Sequence, residues 1–382
     1  MVYRIGIVGV GHWSRRLKMG IEGGQPFEVH KTVDILPYEE KEDLLGSLGV
    51  DRERYYRISQ GDPLPDGFFE ELDVVQIASP VEFHKEQTLR SLSEGKMTIT
   101  EKSYGANEGD FNEVVDFLDS EDLWHRSHLH LHYLRKLLTM EMPGILSEAI
   151  KEHGLIRDVQ ATFIEQESEE DMRRSWLFHP RNGGIFLDWI HPIEVVVWAS
   201  SAEFTDLREA EGYVINADYT SEYPTAGYAR YGVEGGLFSK GATATIRVGK
   251  GFEEGLTHKV LRFHFEDDAY IDFEYADSET EFNSDYRGEW VSKKRKDGRI
   301  EILDKGLPSG PIPYDFLLQD LLNALENHET VLEKNVMQKI FDPVWMFNRE
   351  VMGGDLVRGR KEIQEFIDDA LSRTSDKKMR AN

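Results

Sequence analysis

The chain has no cysteine among its 382 residues, which excludes disulfide bonds, thiol nucleophiles and cysteine-ligated metals. It is also poor in positive charge, with 45 basic residues against 71 acidic ones and a formal net charge of −26. A surface of that sign repels nucleic acid and anionic membranes, so we expect neither as a partner. No apolar run approaches the roughly 20 residues that a membrane helix needs, and the N-terminus lacks a signal peptide's apolar core. These absences predict a cytoplasmic protein.

The length predicts two domains, because a single core stops growing beyond about 250–300 residues. The first third of the chain alternates strand-like and helical runs, as in a parallel sheet covered by helices. The rhythm changes near His125, and beyond Ile156 apolar and polar residues alternate, as in an antiparallel sheet with one exposed face. We therefore predict a first domain at residues 1–124 and a second at residues 125–382.

Helical spacing returns near the C-terminus, at residues 314–327, 331–351 and 361–371. Such helices are ordinary packing elements, and they could fold back on the first domain. The polar end from Ser372 to Asn382 is expected to be frayed. The predicted fold class is α/β: an N-terminal doubly wound parallel sheet plus a C-terminal α+β domain with an open, largely antiparallel sheet.

A strand–turn–helix pattern opens the chain. Gly9-Val10-Gly11 follows an apolar run at residues 5–8 and precedes an amphipathic stretch. The first glycine permits a tight turn, and the second lets the backbone approach a pyrophosphate that the first helical amides would bind. Ser14 replaces the third glycine of the dinucleotide fingerprint and is small enough to keep the helix near the strand. An ordinary tight turn is the alternative to a phosphate site.

Asp34 ends a second predicted strand at residues 27–34. It follows Gly9 by about 25 residues, near the fingerprint's spacing of about 20. A carboxylate at this place would accept both hydroxyls of an adenosine ribose and repel a 2′-phosphate. NAD is therefore the favoured cofactor, although Lys31 and Arg15 keep NADP possible.

Three further segments follow in order. A strand ends at Ser79-Pro80 and is followed by His84, the next helix closes with residues 94–96 as Glu-Gly-Lys, and the following strand ends in Glu101-Lys102-Ser103. Together with the Gly9–Gly11 turn, this order resembles the glucose–fructose oxidoreductase, inositol dehydrogenase and rhizopine-catabolism (Gfo/Idh/MocA) family of NAD(P)-dependent oxidoreductases over most of residues 4–105. The resemblance implies a Rossmann-type first domain. It assigns cofactor binding to Gly9, Gly11, His12, Trp13, Asp34, Ser79, Pro80, His84, Glu101 and Lys102.

A second match lies at residues 182–194, where two glycines precede Asp188, His191 and Glu194. The family places its histidine four residues after its aspartate, whereas three separate Asp188 from His191 here. Residues three or four apart share a helix face, so both spacings would present the pair to one cleft. Pro192 would bend a helix unless it lies in the first turn. The alternative is an ordinary histidine satisfied within its helix.

The resemblance also implies roles for these residues. Oxidising a secondary alcohol requires removal of the hydroxyl proton as hydride leaves carbon, and a histidine titrates near neutral pH. His191 would be the base, Lys102 would stabilise the developing alkoxide, and Asp188 would bind a substrate hydroxyl. Lys102 and His191 are expected to face one another beside the nicotinamide.

Ser103 departs from the family, which has a proline there whose preceding peptide bond is commonly cis. A cis bond before serine costs about 2.5–4 kcal/mol. The Lys102–Ser103 bond is therefore either trans, with Lys102 displaced, or cis and enforced by its surroundings.

Other candidates rank lower. His125, His128, His130 and His132 form a dense cluster, but no acid or cysteine completes a familiar ligand set, so we expect no metal site. The histidines would line a cleft floor where the domains join. Trp176, His179 and Arg181 form either a substrate-side loop or an ordinary exposed loop.

The implied function is an NAD(P)-dependent dehydrogenase or reductase that acts on a sugar, cyclitol or related polyol, assembled as a homodimer or homotetramer. One alternative is an NAD-dependent glycoside hydrolase of the same family, which would retain its cofactor tightly. The other is a non-catalytic, nucleotide- or sugar-responsive regulator.

Overall fold

A computed structural model describes residues 2–131, 142–166, 184–215, 223–252, 258–276, 289–296, 299–305, 313–328 and 334–372. The chain divides into two compact units. The described residues of the first unit are 2–131, 313–328 and 334–338, and the remaining described residues form the second.

Strands and helices alternate through the first unit. Its strands are β1 (Tyr3–Val8), β2 (Phe27–Asp34), β3 (Tyr55–Arg57), β4 (Val74–Ile77), β5 (Met97–Glu101) and β6 (Ser127–His130). Its helices are α1 (His12–Glu22), α2 (Tyr38–Ser47), α3 (Asp66–Phe69), α4 (His84–Ser93) and α5 (Glu108–Ser120), with α8 (Pro313–Asn327) added from late in the chain.

The six strands form one parallel sheet in the order β3-β2-β1-β4-β5-β6. Every residue of β4 and β5 is buried, as expected for parallel strands covered on both faces. The chain reverses its direction of winding between β1 and β4. This confirms the predicted doubly wound sheet, and in such sheets the carboxyl ends of the strands at the reversal form the ligand crevice.

The first unit extends past the predicted boundary at residue 124. Strand β6 pairs with β5 through residues 127–130, so the parallel sheet ends later than expected. Helix α8 also belongs here, because Leu317, Leu318 and Leu321 pack into the cluster that holds Leu17 of α1. One C-terminal helix thus packs on the parallel sheet.

The second unit is built around one large sheet. Its strands are β7 (Ile156–Gln166), β8 (Glu203–Tyr213), β9 (Ala226–Glu234), β10 (Phe238–Phe252), β11 (His258–Phe265), β12 (Tyr270–Ala276), β13 (Glu289–Lys296) and β14 (Arg299–Lys305). Its helices are α6 (Met142–His153), α7 (Phe186–Ser200), α9 (Lys334–Gly353) and α10 (Arg360–Ser372). The part of α9 before Lys339 belongs to the first unit.

The sheet order is β14-β13-β12-β11-β7-β10-β9-β8. Its described pairs are antiparallel except β7 with β10, which is parallel. Leu261, Phe263 and Phe265 of β11 are fully buried, which explains the alternating pattern in the sequence. The predicted open, largely antiparallel sheet is confirmed.

Helix α7 is fixed by an aromatic contact. The rings of Trp189 and Phe347 stack with their centroids 3.7 Å apart and their planes at 8°. The indole Nε1 of Trp189 donates to the Tyr231 hydroxyl at 3.1 Å, and that hydroxyl donates to the Pro343 carbonyl at 2.9 Å. These contacts tie α7 to β9 and α9.

Within the described part of the chain, no helix is both long and apolar enough to cross a membrane. The predicted frayed end lies outside the described residues after Ser372.

Candidate functional site

The Gly9–Gly11 turn lies at the carboxyl end of β1, where the backbone requires glycine at position 9. Gly9 has φ of +86°, and a Cβ there would lie 2.6 Å from the Ser79 amide nitrogen. A Cβ on Gly11, in contrast, would meet no atom within 4 Å. Ser14 is fully buried and accepts from the Gly11 amide at 3.2 Å, so a small residue at position 14 closes the turn.

Asp34 lies beside this turn at the carboxyl end of β2. Its carboxylate accepts from the Val10 amide at 2.7 Å and from the Leu36 amide at 3.0 Å. The Lys41 Nζ lies 3.9 Å from the same carboxylate and donates to the Val10 carbonyl at 2.7 Å. Asp34 is therefore held next to the space that Gly11 leaves open.

These features fit a dinucleotide. The open space at Gly11 adjoins the first amides of α1, which belong to the group that a helix leaves without an internal acceptor. An open cavity of about 730 Å³ extends along Ile35, Arg57 and Ser59. Arg57 pairs with Asp34 in the β2–β3 register, and the sequence analysis missed it because β3 is only three residues long.

The two cations that kept NADP possible differ in position. The Lys31 Nζ donates to the carbonyls of Gly67 and Glu70 at 2.8 and 2.9 Å, and the residue is 8% exposed. Its charge is thus engaged by α3 and the residue that follows it. Arg15 is exposed on α1.

His84 links the segments that follow β4 and β5. Its Nε2 lies 2.6 Å from the Ser79 carbonyl oxygen and its Nδ1 lies 2.8 Å from that of Ser103. Burial lowers the pKa of His84, while the two carbonyl contacts act in the opposite direction. The Lys102–Ser103 peptide bond is cis. The Ser79 carbonyl directly precedes Pro80, and the Ser103 carbonyl directly follows Lys102. His84 therefore holds the backbone next to two of the predicted cofactor residues.

We predict that His84→Ala lowers the free energy of unfolding by about 1–3 kcal/mol, because a buried carbonyl oxygen loses its donor. Urea unfolding followed by fluorescence would measure the change. The control is His125→Ala, whose ring is partly exposed and whose loss should have a small effect. Equal stability of the two variants would contradict the linking role of His84.

Glu101 ends β5 inside a buried polar cluster. Its carboxylate accepts from the Gln76 amide at 3.1 Å and lies 3.1 Å from the His130 Nδ1. The Trp13 ring meets the His130 ring edge-on at 6.4 Å between centroids. Glu101 therefore holds neighbouring strands together at the carboxyl edge of the sheet, and Lys102 follows it directly.

The histidine cluster is only partly a strand face. His128 and His130 lie on β6 and are buried, whereas His125 precedes the strand. His132 lies outside the described residues. Among the residues that the structure describes, no group of three or more His, Cys, Asp or Glu side chains is arranged to hold a metal ion.

In the second unit, α7 presents Asp188 and His191 together. The His191 Nε2 lies 3.9 Å from the Asp188 Oδ1, and α7 runs continuously through Pro192. Both residues are 9% exposed, and Glu194 is fully buried. The shortened spacing thus leaves the acid and the imidazole on one helix face.

Two lysines join this pair, of which Lys259 is buried. The Lys250 Nζ lies 3.2 Å from the Asp188 Oδ2 and 3.5 Å from the Glu165 Oε2, and the Lys259 Nζ lies 2.6 Å from the Glu165 Oε1. Burial raises the pKa of Glu165, but the charges of Lys259, Lys250 and His191 outweigh it and hold that pKa well below its usual range. The sequence analysis missed Glu165, Lys250 and Lys259, because only the β7–β10 and β7–β11 pairing brings them together.

The roles of several predicted residues stay predictions. Trp176, His179 and Arg181 lie outside the described residues. Lys102 belongs to the first unit and His191 to the second, and their meeting stays a prediction. The side chain of His12 is likewise not described.

No protein-family model matches the chain, and no curated protein matches it. Solved structures do. UDP-N-acetylglucosamine 3-dehydrogenase GnnA from Acidithiobacillus ferrooxidans is 16% identical, with a TM-score of 0.64 over 92% of this chain and 99% of that one. Aldose-aldose oxidoreductase from Caulobacter crescentus is 13% identical, with a TM-score of 0.71 over 93% and 99%. KijD10, a 3-ketoreductase from Actinomadura kijaniata solved with NADP and TDP-benzene, is 14% identical, with a TM-score of 0.69 over 94% and 100%. At these identities the likeness establishes the fold, which is the one that the sequence resemblance implied.

Proposed function

We propose that the chain is an NAD(P)-dependent oxidoreductase that transfers hydride between a nicotinamide cofactor and a sugar, cyclitol or related polyol. The observation that carries this proposal is the buried Asp188–His191 pair on α7, in a chain whose other unit has a dinucleotide-type glycine turn. The printed names of the three similar structures, a sugar-nucleotide dehydrogenase, an aldose-aldose oxidoreductase and a ketoreductase with NADP, support the same class.

In this proposal the first unit binds the cofactor. The open space at Gly11 and the first amides of α1 would hold the pyrophosphate, and Asp34 would accept the ribose hydroxyls. When bound, the nicotinamide supplies the hydride acceptor. His84 and Glu101 act on the backbone and neighbouring strands, so we assign them to positioning.

The second unit supplies the base. His191 takes the hydroxyl proton of the substrate, and the Asp188 carboxylate stabilises the imidazolium that forms. One Asp188 oxygen contacts the Lys250 Nζ. We therefore assign Asp188 to this electrostatic role, and not only to the binding of a substrate hydroxyl. Lys102 would stabilise the developing alkoxide.

We predict that NAD binds more tightly than NADP. The Asp34 carboxylate would bind the ribose hydroxyls and repel a 2′-phosphate, and Lys31 is engaged elsewhere. Replacing Asp34 with serine should shift the ratio of the two dissociation constants toward NADP by about 10-fold or more, given about 1.5–3 kcal/mol for a hydrogen bond to a charged group. Fluorescence titration with both cofactors would measure it.

The control for this prediction is Arg15→Gln. Arg15 is exposed on α1, so its replacement should leave the preference unchanged. If wild type binds NADP equally well or better, and Arg15→Gln restores the preference for NAD, the cation decides the specificity instead of Asp34.

A screen of oxidised and reduced cofactors against sugars, cyclitols and other polyols tests the function itself. Stoichiometric change in nicotinamide absorbance with one substrate class would support the dehydrogenase or reductase. Release of a glycosidic substituent with tightly retained NAD and no net change in absorbance would instead indicate the hydrolase. Binding of NAD and a sugar without any turnover would favour the regulator. Cytoplasmic location and a homodimer or homotetramer stay predictions, tested by fractionation and light scattering.

A further inference from the structure

The Asp188–His191 pair is the end of a longer row of charged side chains. Asp188 lies between His191 and Lys250, and Lys250 in turn lies between Asp188 and Glu165. Lys259 is the last member of the row and contacts Glu165. The side chains of Lys250 and Lys259 are 15% and 5% exposed. Two carboxylates and two ammonium groups thus balance one another beside one imidazole.

His191 lies among charged side chains from α7 and three strands. Asp188 of α7 lies 3.9 Å from it, the charge of His191 acts on Glu165 of β7, and Lys250 of β10 and Lys259 of β11 pair with these two carboxylates. Glu194 follows three positions later on the same helix. Helix α6, which packs on α7, buries Met142, Leu146 and Ala149, and its His153 is bound to Asp267 at 2.9 Å. Helix α9 meets α7 through Phe347.

We propose that Lys250 is a positioning residue for the reaction, because it holds the Asp188 carboxylate and thereby sets the pH at which His191 takes up a proton. The inference rests on the proposed function only for its kinetic consequence. Its electrostatic part concerns three side chains of one unit and needs no cofactor or substrate.

Geometry explains how Lys250 would act. Contact of the Asp188 Oδ2 with the Lys250 Nζ at 3.2 Å limits the directions open to the other carboxylate oxygen, Oδ1, which lies 3.9 Å from the His191 Nε2. The ammonium also offsets the negative charge that would otherwise favour the imidazolium. Lys250 therefore orients Asp188 and weakens its pull on the proton. A base that is neutral at working pH is ready to accept the hydroxyl proton.

The test follows the His191 ring by NMR titration, with His191→Asn used to assign its signal. Lys250→Met should raise the pKa of His191 by about one pH unit, because Asp188 loses its cationic partner. Glu165→Gln should lower it, because one nearby negative charge is lost and Lys250 turns more fully to Asp188. Lys250→Arg keeps the charge and should restore the wild-type value.

The matched control is Lys240→Met, an exposed lysine on the same strand β10, which should leave the pKa of His191 unchanged. An unchanged or lowered pKa in Lys250→Met would overturn the proposal. If Lys250→Met does not fold, Glu165→Gln and Lys250→Arg decide, and a raised pKa in Glu165→Gln would overturn it.

Kinetics separates this inference from the proposed function. With an active substrate, the acidic limb of the kcat/KM profile, which reports the free enzyme, should move by the same amount and in the same direction as the NMR titration, while the KM for NAD stays unchanged. A purely structural lysine would lower kcat at every pH without moving the limb, and that result would overturn the positioning role. If no substrate turns over but the NMR shifts occur, the electrostatic role stands and the proposed function fails.

Discussion

Replacing His191 with asparagine is expected to lower turnover by about 10²–10⁴, the usual contribution of a positioned base, while NAD affinity stays nearly unchanged. Asparagine keeps a polar side chain of similar size but cannot accept and release a proton near neutral pH. His191 is 9% exposed and lies 3.9 Å from Asp188, so its loss removes the base and leaves the carboxylate in place. Steady-state kinetics with the substrate found in the screen, and titration with NAD, would measure both effects.

The matched control is His328→Asn. That histidine is exposed next to α8 and has a φ of +56°, a conformation that asparagine tolerates, so turnover should stay at the wild-type level.

Lys102→Met is expected to lower turnover as His191→Asn does, if the two residues serve one hydroxyl. Wild-type turnover in His191→Asn or in Lys102→Met would show that the replaced residue is not catalytic. If both variants weaken only NAD binding, the regulator becomes the better explanation.

Local pattern predicted much of the first unit. Strand β2 begins and ends where its residues 27–34 indicated, because turn residues bound it on both sides. Strand β3 was missed, since its three residues, Tyr55–Arg57, carry no periodic signal. Strand β6 was assigned to the second domain, because the alternation of strands and helices ends near His125 and the burial of Ser127–His130 depends on pairing with β5.

In the candidate site, too, the sequence predicted the local contacts and missed those between distant segments. The spacing of Asp188 and His191 predicted that they share a helix face, since that depends only on helical period. The contacts of Lys250 could not be predicted. Its contact with Glu165 depends on the register between β7 and β10, and its contact with Asp188 depends on how α7 packs against β10. Sequence separations of about sixty residues or more carry no period that would reveal such a contact.

Trp189→Ala is expected to cost about 3–5 kcal/mol of unfolding free energy, the range for truncating a large buried aromatic side chain. Trp189 is fully buried, stacks on Phe347 with ring centroids 3.7 Å apart, and donates to the Tyr231 hydroxyl. Truncation would leave a cavity between α7 and α9 and an unpaired lone pair on Tyr231. The residue precedes His191 by two positions on the same helix, so the loss would reach the site through the position of α7.

Trp189→Phe separates the two contributions to this stability. Phenylalanine keeps an aromatic face for Phe347 and removes the indole N–H, while Tyr231 keeps its bond to the Pro343 carbonyl. We expect a loss of about 1–2 kcal/mol, from one hydrogen bond and a smaller ring. Urea unfolding of wild type and both variants would rank them. If Trp189→Ala unfolds at the same urea concentration as wild type, the stacked pair does not fix α7. If Trp189→Phe loses as much as Trp189→Ala, the hydrogen bond to Tyr231 dominates, and the stacking contributes little.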